Sequence, residues 1–112
     1  MEKKFIKNIA FSEALDLASL VDYQPGRVVS LTFVQNESLS MTLFAFGQGE
    51  GVSTHSAPGD AMVYILDGEA EITIGDKKLR AGAGQCVVMP ADIPHGLDAV
   101  ENFKMLLTLV KQ

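Results

Sequence analysis

Cysteine is almost absent from this chain, which has one, Cys86, and tryptophan is absent altogether. A single thiol cannot form an intrachain disulfide, and this fits a reducing compartment in which thiols stay unpaired. Cys86 begins the apolar run Cys86–Met89, so we expect a small buried hydrophobic residue there rather than a nucleophile. The cysteine count excludes a disulfide scaffold and favours a cytoplasmic location.

Basic residues are also scarce, since 9 Lys and Arg stand against 14 Asp and Glu, for a net charge of −5. A protein that binds nucleic acid needs clustered Lys or Arg to displace the counterions of phosphate groups. The basic residues Lys3, Lys4 and Lys7 at the N-terminus are typical of a solvated tail. We therefore expect no nucleic-acid partner.

Long apolar runs are missing as well. A membrane-spanning helix needs about 18 or more consecutive apolar residues, and no run in this chain approaches that length. The first residues, M-E-K-K-F-I-K-N, lack the apolar segment of a signal peptide. With 47% apolar and 21% charged residues over 112 positions, the composition predicts one globular domain that does not associate with membranes.

Helical periodicity is confined to the N-terminal part of the chain. Apolar residues recur there at helical spacing, which predicts one short helix within residues 12–21; they are Phe11, Ala14, Leu15, Ala18 and Val21. The sequence D-Y-Q-P-G at 22–26 then predicts a turn. We expect residues 1–26 to form an N-terminal segment that carries this short helix.

From residue 27 onward the sequence is a series of short strand-like stretches, each bounded by Gly, Pro, Asn or Asp. Such a series is typical of an all-β sandwich or barrel. A parallel α/β sheet would need helices between the strands, and the intervals are too short to hold them. Residues 27–112 are therefore predicted to form one antiparallel β-barrel.

Two of the predicted strands, Met62–Leu66 and Met105–Val110, do not alternate cleanly between apolar and polar residues. A strand with one face in water should alternate. We expect both faces of these strands to be covered, either by a second sheet or by another subunit, and a twofold homodimer is the commonest arrangement of the latter kind. Complete burial within the monomer is the alternative.

The chain has only two histidines, His55 and His95. A lone histidine is usually structural or simply on the surface, so each residue by itself predicts little. A shared site requires that the fold bring the two side chains together, and their separation in sequence cannot show that.

The segment around His55 resembles the first conserved motif of the cupin superfamily, G-x5-H-x-H-x3-E-x6-G. Gly49, His55 and Gly68 match the motif in register. Ala57 stands at the position of the second histidine, and Ala61 stands at the position of the glutamate.

The segment around His95 resembles the second motif of the same superfamily, G-x5-P-x-G-x2-H-x3-N. Gly84, Pro90 and His95 match, whereas Asp92 replaces the glycine and Ala99 replaces the asparagine. With both motifs in register, the resemblance implies a cupin-type antiparallel β-barrel, also called a double-stranded β-helix or jelly roll. It also implies an internal pocket and, often, a homodimer.

In the full cupin pattern, the three histidines and the glutamate bind one divalent metal, and here only His55 and His95 carry over as ligands. The resemblance therefore implies one weakly held ion, Zn, Ni, Mn or Fe, because two imidazoles hold a metal less tightly than four protein ligands. Asp60 lies one residue from the missing glutamate, so a regular strand points it to the opposite face and only a bulge would make it a third ligand. The implied pocket residues are His55, Ala57, Ala61, Val63, Ile65 and His95.

Three functions remain open at this point. The first is a non-catalytic barrel that binds a small molecule in an apolar pocket with two histidines as polar contacts. The second is a metal-dependent enzyme of oxygenase or isomerase type, in which substrate or water completes a two-histidine site. The third is a barrel without pocket chemistry whose use is association. The two alanines at ligand positions favour the first function over the second.

Overall fold

A computed structural model describes residues 4–112 and contains two antiparallel β-sheets. The chain therefore has the predicted all-β, cupin-type barrel. In the described residues the strands are β1 Val28–Gln35, β2 Leu39–Phe46, β3 Gly51–His55, β4 Asp60–Asp67, β5 Glu69–Ile74, β6 Lys77–Gly82, β7 Cys86–Met89, β8 His95–Asp98 and β9 Phe103–Val110.

The two sheets face each other across one core. The five-stranded sheet has the order β1-β2-β9-β4-β7, and the four-stranded sheet has the order β3-β8-β5-β6. Phe46 and Phe103 come from neighbouring strands and stack in this core, with ring centroids 4.7 Å apart and an interplanar angle of 5°. Both side chains are fully buried, so the stacked pair lies between the sheets and contributes to their packing.

Successive residues of β4 are alternately exposed and buried, which the sequence of the strand did not predict. Ala61, Val63 and Ile65 are buried in the core, whereas Met62 is 46% exposed and Tyr64 is 41% exposed. Within residues 4–112 no second sheet covers the outward residues, so that part of the expectation is wrong. The sequence was ambiguous because the outward positions carry apolar residues, which hide the period of two.

The outer face of β9 is covered at Leu106 by a part of the chain that the sequence did not suggest, whereas Val110 on the same face is 49% exposed. Leu106 packs with Ile9 and Leu17 of the N-terminal segment in a second apolar cluster. That cluster centres on buried residues of the neighbouring strands, including Phe33 and Leu43. The N-terminal segment therefore covers Leu106, where cover by a second sheet or a second subunit was expected.

The predicted N-terminal helix is present as one turn of 3₁₀ helix, Leu17–Leu20, within the predicted range 12–21. It does not extend further toward the N-terminus, where Ser12 adopts a positive φ of 62° that is incompatible with a right-handed helix. Asp16 precedes the turn but makes no side-chain capping hydrogen bond. Ser19 instead donates from its hydroxyl to the Asp16 carbonyl oxygen, at 2.7 Å.

Contacts of Tyr23, Ala18 and Lys104 help attach this segment to the barrel. The hydroxyl of Tyr23 donates a short hydrogen bond to the Asp67 carboxylate, and the Lys104 ammonium donates to the Ala18 carbonyl oxygen at 2.7 Å. The Lys104 nitrogen also lies 4.9 Å from the centre of the Tyr23 ring, within range of a cation–π interaction. Burial, followed by the bond to Asp67, raises the pKa of Tyr23, so its phenol stays a donor.

Cys86 is exposed, not buried as the sequence predicted. It lies on β7, the last strand of the five-stranded sheet, and pairs with Tyr64 of β4. Both of these residues point outward, and the neighbouring pair Met62 and Val88 does the same. An edge strand has one wet face and one free edge, so an apolar run there is not evidence of burial.

Among residues 4–112 there is no helix of the length and hydropathy that crossing a bilayer requires.

Candidate functional site

The two histidines meet in space. His55 ends β3 and His95 begins β8, and these two antiparallel strands place the residues directly opposite each other. The ring centroids lie 4.6 Å apart and the rings meet edge to face at 70°. An irregularity in the pairing between Val52 and His55 sets this register. The two histidines, which are forty residues apart in the sequence, are therefore in direct side-chain contact.

Backbone carbonyl groups orient both rings. Nδ1 of His55 lies 2.9 Å from the Ser53 carbonyl oxygen, and Nδ1 of His95 lies 3.2 Å from the Ile93 carbonyl oxygen. A carbonyl oxygen only accepts, so Nδ1 of each neutral ring carries the proton. Each Nε2 is then an unprotonated acceptor, and neither has a hydrogen-bond partner within residues 4–112.

The two rings differ in their environment. His95 is buried, with 3% of its surface exposed, whereas His55 lies in an exposed position. Burial, and then the proximity of His55, lowers the pKa of His95, and its bond to the Ile93 carbonyl opposes this only in part. His95 is therefore the deeper of the two and stays neutral at physiological pH.

A cavity of about 210 Å³ opens beside the two histidines. Apart from these rings its wall is entirely apolar, and it is built from both sheets, so it lies inside the barrel. The lining residues are Phe44, Phe46, Val52, His55, Ala57, Ala61, Met89, His95, Leu97, Met105, Leu107 and Leu109.

The structure places some of the predicted pocket residues on this wall and others away from it. Ala57 and Ala61 line the cavity together with the two histidines. Val63 and Ile65 also point inward from β4, but they are fully buried in the packed core and are not part of the wall. They lie further along the strand, where other core side chains fill the space.

Asp60, the predicted third metal ligand, has a different contact. It is exposed, and its Oδ1 accepts a hydrogen bond from the backbone N–H of Ala91 at 2.9 Å. The N–H of Asp92 donates to the Ala57 carbonyl oxygen at 2.8 Å. These two bonds attach the loop before His95 to the segment that carries Ala57 and Ala61.

The sequence did not identify most of the apolar wall. Five of these residues come from β2 and β9, outside the two motifs; they are Phe44, Phe46, Met105, Leu107 and Leu109. Their alternation along each strand is the signal that was present, because residues two apart on a strand share a face. What was missing was the pairing of β2 with β9, which the sequence does not state.

Backbone conformation explains one departure from the second motif. Asp92 occupies a glycine position of that motif and adopts a left-handed φ of 64°. Aspartate tolerates this region better than most residues other than glycine, because its short side chain bonds locally. The replacement therefore keeps the backbone turn that the motif requires before His95.

The described side chains offer two adjacent imidazoles as ligands and not a four-ligand centre. Two imidazoles bound side by side at about 2.1 Å, with ring centres about 1.1 Å further out, have centres about 4.5–5 Å apart, which agrees with the 4.6 Å observed for His55 and His95. No group of three or more His, Cys, Asp or Glu that could hold a metal occurs in the described part of the chain. Water or a bound molecule would have to supply every other ligand.

Comparison with known proteins agrees with this architecture. The model of the cupin domain family matches residues 42–110, which include every position of both motifs. A curated uncharacterized protein from Streptomyces coelicolor is 26% identical over 78 residues, which cover 69% of this chain and 74% of that protein.

Solved structures resemble this chain over almost its whole length. A conserved protein of unknown function from Streptococcus pyogenes is 46% identical with a TM-score of 0.97, covering 98% of this chain and 96% of that one. A cupin superfamily protein from Desulfitobacterium hafniense is 33% identical with a TM-score of 0.91, covering 96% and 98% respectively. These likenesses establish family and fold, and neither description names a ligand.

Proposed function

This chain belongs to the cupin domain family, and we propose that it binds a small, largely apolar molecule in its internal cavity, in hydrogen-bonding contact with His55 and His95. The observation that carries this proposal is the cavity itself. It is apolar except for two adjacent imidazoles, and an apolar pocket with a few convergent polar groups is typical of small-molecule sites.

A cavity-filling variant tests this proposal. Ala61→Leu extends a side chain into the cavity from a residue on its wall, and we expect it to abolish binding of fragments that the wild type binds. Ligand-observed NMR with a set of uncharged fragments of about ten non-hydrogen atoms measures this. Ala83→Leu is the matched control, because Ala83 is exposed outside the cavity. Fragments that bind equally well to Ala61→Leu would locate the site elsewhere, and a set with no binder would contradict the proposal.

A second candidate is a metal-dependent enzyme of oxygenase or isomerase type. The observation that favours it is the pair of Nδ1–carbonyl contacts, because bonds of this kind orient metal-binding histidines and leave Nε2 free. His55 and His95 would hold the ion, which would polarise an oxygen atom of the bound molecule. The apolar wall would orient that molecule and exclude water.

Metal binding at the two histidines has an expected pH dependence. Only a neutral imidazole binds a metal ion, and the pKa of His95 is lowered by burial. The contribution of His95 should therefore be complete at neutral pH and fall only below the ordinary histidine value of about 6.5. A zinc titration by calorimetry, repeated from about pH 8 to about pH 5, measures this.

Variants of the same titration identify the ligands. Replacing either histidine by alanine should abolish zinc binding, because a single imidazole is too weak a site. Asp60→Asn is the control, since the amide oxygen can still accept from Ala91. Unchanged affinity is the expected result for Asp60→Asn, and a loss of affinity would identify Asp60 as a third ligand. Binding that survives both histidine variants would contradict the two-histidine site.

We further propose that a second copy of the chain covers the outer patch, defined as Met62, Tyr64, Cys86 and Val88. These four neighbouring side chains on β4 and the edge strand β7 are all exposed. None carries a charge, and natural edge strands that stay single usually do. A twofold dimer would bury the same patch of both copies.

The paired change Met62→Lys and Val88→Lys should convert this dimer to a monomer by introducing like charges at a self-complementary surface. Sedimentation velocity measures the change, and circular dichroism checks that the fold is kept. Val100→Lys, at an exposed valine elsewhere, should leave the dimer intact. A wild-type chain that sediments as a monomer at micromolar concentration would refute the dimer.

The single exposed thiol of Cys86 stays reduced most easily where glutathione and thioredoxin keep thiols unpaired. We propose the cytoplasm as the location on this ground.

A further inference from the structure

We propose that the molecule bound in the cavity is an uncharged aromatic alcohol of the phenol class, whose hydroxyl group donates a hydrogen bond to a histidine Nε2. This inference rests on the proposed function, because it specifies the ligand of the same cavity. Three properties of the cavity support it: the direction of hydrogen bonding, the absence of charge and the composition of the wall.

The hydrogen-bonding direction follows from the two backbone contacts. Ser53 and Ile93 each supply a carbonyl oxygen to an Nδ1, so each Nδ1 is a donor and each Nε2 is an acceptor. Among the described residues that line the cavity, no side chain has an N–H or O–H apart from the two histidines. A ligand that only accepts, such as an ether or a ketone, would leave both Nε2 atoms without a donor, and an unpaired polar group costs affinity.

Nε2 of His95 is open to the cavity and not sealed in the protein. Among the described residues no buried side-chain nitrogen or oxygen lacks a hydrogen-bond partner. The residue as a whole is buried, and its Nε2 has no partner within residues 4–112. Some surface of this atom must therefore be accessible, and the cavity that His95 lines is where it opens.

The wall contains no charged side chain. A carboxylate or phosphate ligand would lose its hydration, and the wall has no lysine or arginine to pair with it. An ammonium ligand would equally find no carboxylate. Transfer of an unpaired ion into an apolar site is strongly unfavourable, so the cavity selects uncharged molecules.

The composition of the wall favours a flat ring over an aliphatic chain. Phe44 is the partly exposed ring of the wall, and Phe46 lies buried beside it on the same face of β2, with ring centroids 5.6 Å apart. Met89 and Met105 place two buried thioethers next to the cavity. Aromatic rings and methionine sulfur both make favourable contacts with aromatic ligands. At the packing density of protein interiors, the cavity of about 210 Å³ would hold about ten non-hydrogen atoms.

Four matched probes of similar size test this proposal: 4-propylphenol, its methyl ether, 4-propylbenzoate and 4-propylcyclohexanol. Binding is measured by NMR titration at about pH 8, where a phenol is un-ionised, with a chelator present so that no metal contributes. We expect the phenol to bind about tenfold more tightly than its ether, because only the phenol donates. The benzoate should not bind, and the cyclohexanol should bind several-fold more weakly than the phenol.

Variants within the same series assign the preference to the histidines. His95→Phe keeps a flat ring at this position and removes the acceptor Nε2. The ratio of phenol affinity to ether affinity should therefore fall toward one. His55→Phe, at the exposed ring, gives a second test in case His95→Phe does not fold. A ratio that stays near ten in both variants would show that the hydroxyl is recognised elsewhere and would overturn the proposal.

The outcomes separate this inference from the proposed function. Equal or tighter binding of the ether would overturn the donor requirement. Tighter binding of the benzoate than of the phenol would overturn the requirement for an uncharged ligand. Tighter binding of the cyclohexanol than of the phenol would overturn the requirement for an aromatic ring. If none of the four probes binds, but other fragments bind the wild type and not Ala61→Leu, the cavity is a site for another class of ligand. Only the present inference fails in that case. If no fragment of any kind binds, both fail together.

Discussion

The double variant Ala57→His and Ala61→Glu should bind zinc or nickel about a hundredfold more tightly than the wild type. Both alanines line the cavity beside His55 and His95, at the two positions where the family pattern has a histidine and a glutamate. Each added ligand should contribute about tenfold, or about 1.4 kcal/mol. A site with three imidazoles and a carboxylate also discriminates better among divalent metals than a site with two imidazoles.

Calorimetric titrations of the wild type, the two single variants and the double variant measure this gain. The double variant combined with His95→Ala is the matched control, because it adds two ligands and removes one original ligand. Its affinity should lie well below that of the double variant. Equal affinity of the wild type and the double variant would mean that positions 57 and 61 do not face the histidines. The barrel would stand in that case, but the alignment of the first motif would be wrong.

Gly68→Ala should lower the free energy of unfolding by about 3 kcal/mol, through two effects that act together. Gly68 lies in the tight connection between β4 and β5 with a left-handed φ of 75°, which costs an alanine about 1–2 kcal/mol. A β-carbon at this position would also overlap the backbone carbonyl oxygen of Asn102. Backbone must move to relieve that overlap, because no flexible side chain is involved.

Gly49→Ala separates the two effects in a urea unfolding experiment. Gly49 also has a left-handed φ, 88°, but a β-carbon there has nothing within 4 Å. Its alanine variant should lose only the conformational part, about 1–2 kcal/mol. If the two variants lose the same stability, the close approach to Asn102 contributes nothing. Glycine would then be needed at position 68 only for its left-handed backbone conformation.

The glycine positions show how much of the fold the sequence could predict. Gly49, Gly68 and Gly84 all adopt positive φ, so these matches to the motifs mark backbone turns that a side chain would strain. Turn residues are local signals, and the number and order of short strands follow from them. This is why the sequence correctly predicts the all-β barrel and the cupin resemblance.

The expectations that were wrong concern the faces of strands. Cys86 was expected to be buried and is exposed. The outward residues of β4, such as Met62, are not covered by a second sheet in the described part of the chain, and cover by a second subunit stays a prediction. Both lie on the outer patch, where apolar residues occupy an open face. Composition cannot distinguish such a face from a core, since only the position of a strand within its sheet decides which side meets water.

By itself the sequence determined the all-β class, the likeness to the cupin family and the two candidate histidines, because all three depend on local turns and on the spacing of residues within motifs. Tertiary structure decided whether His55 and His95 meet, since their contact depends on the register of β3 against β8. It also decided which Nδ1 atoms meet carbonyl oxygens, and hence that both free nitrogens accept. The apolar wall contributed by β2 and β9 likewise depends on long-range strand pairing, which no local pattern in the chain encodes.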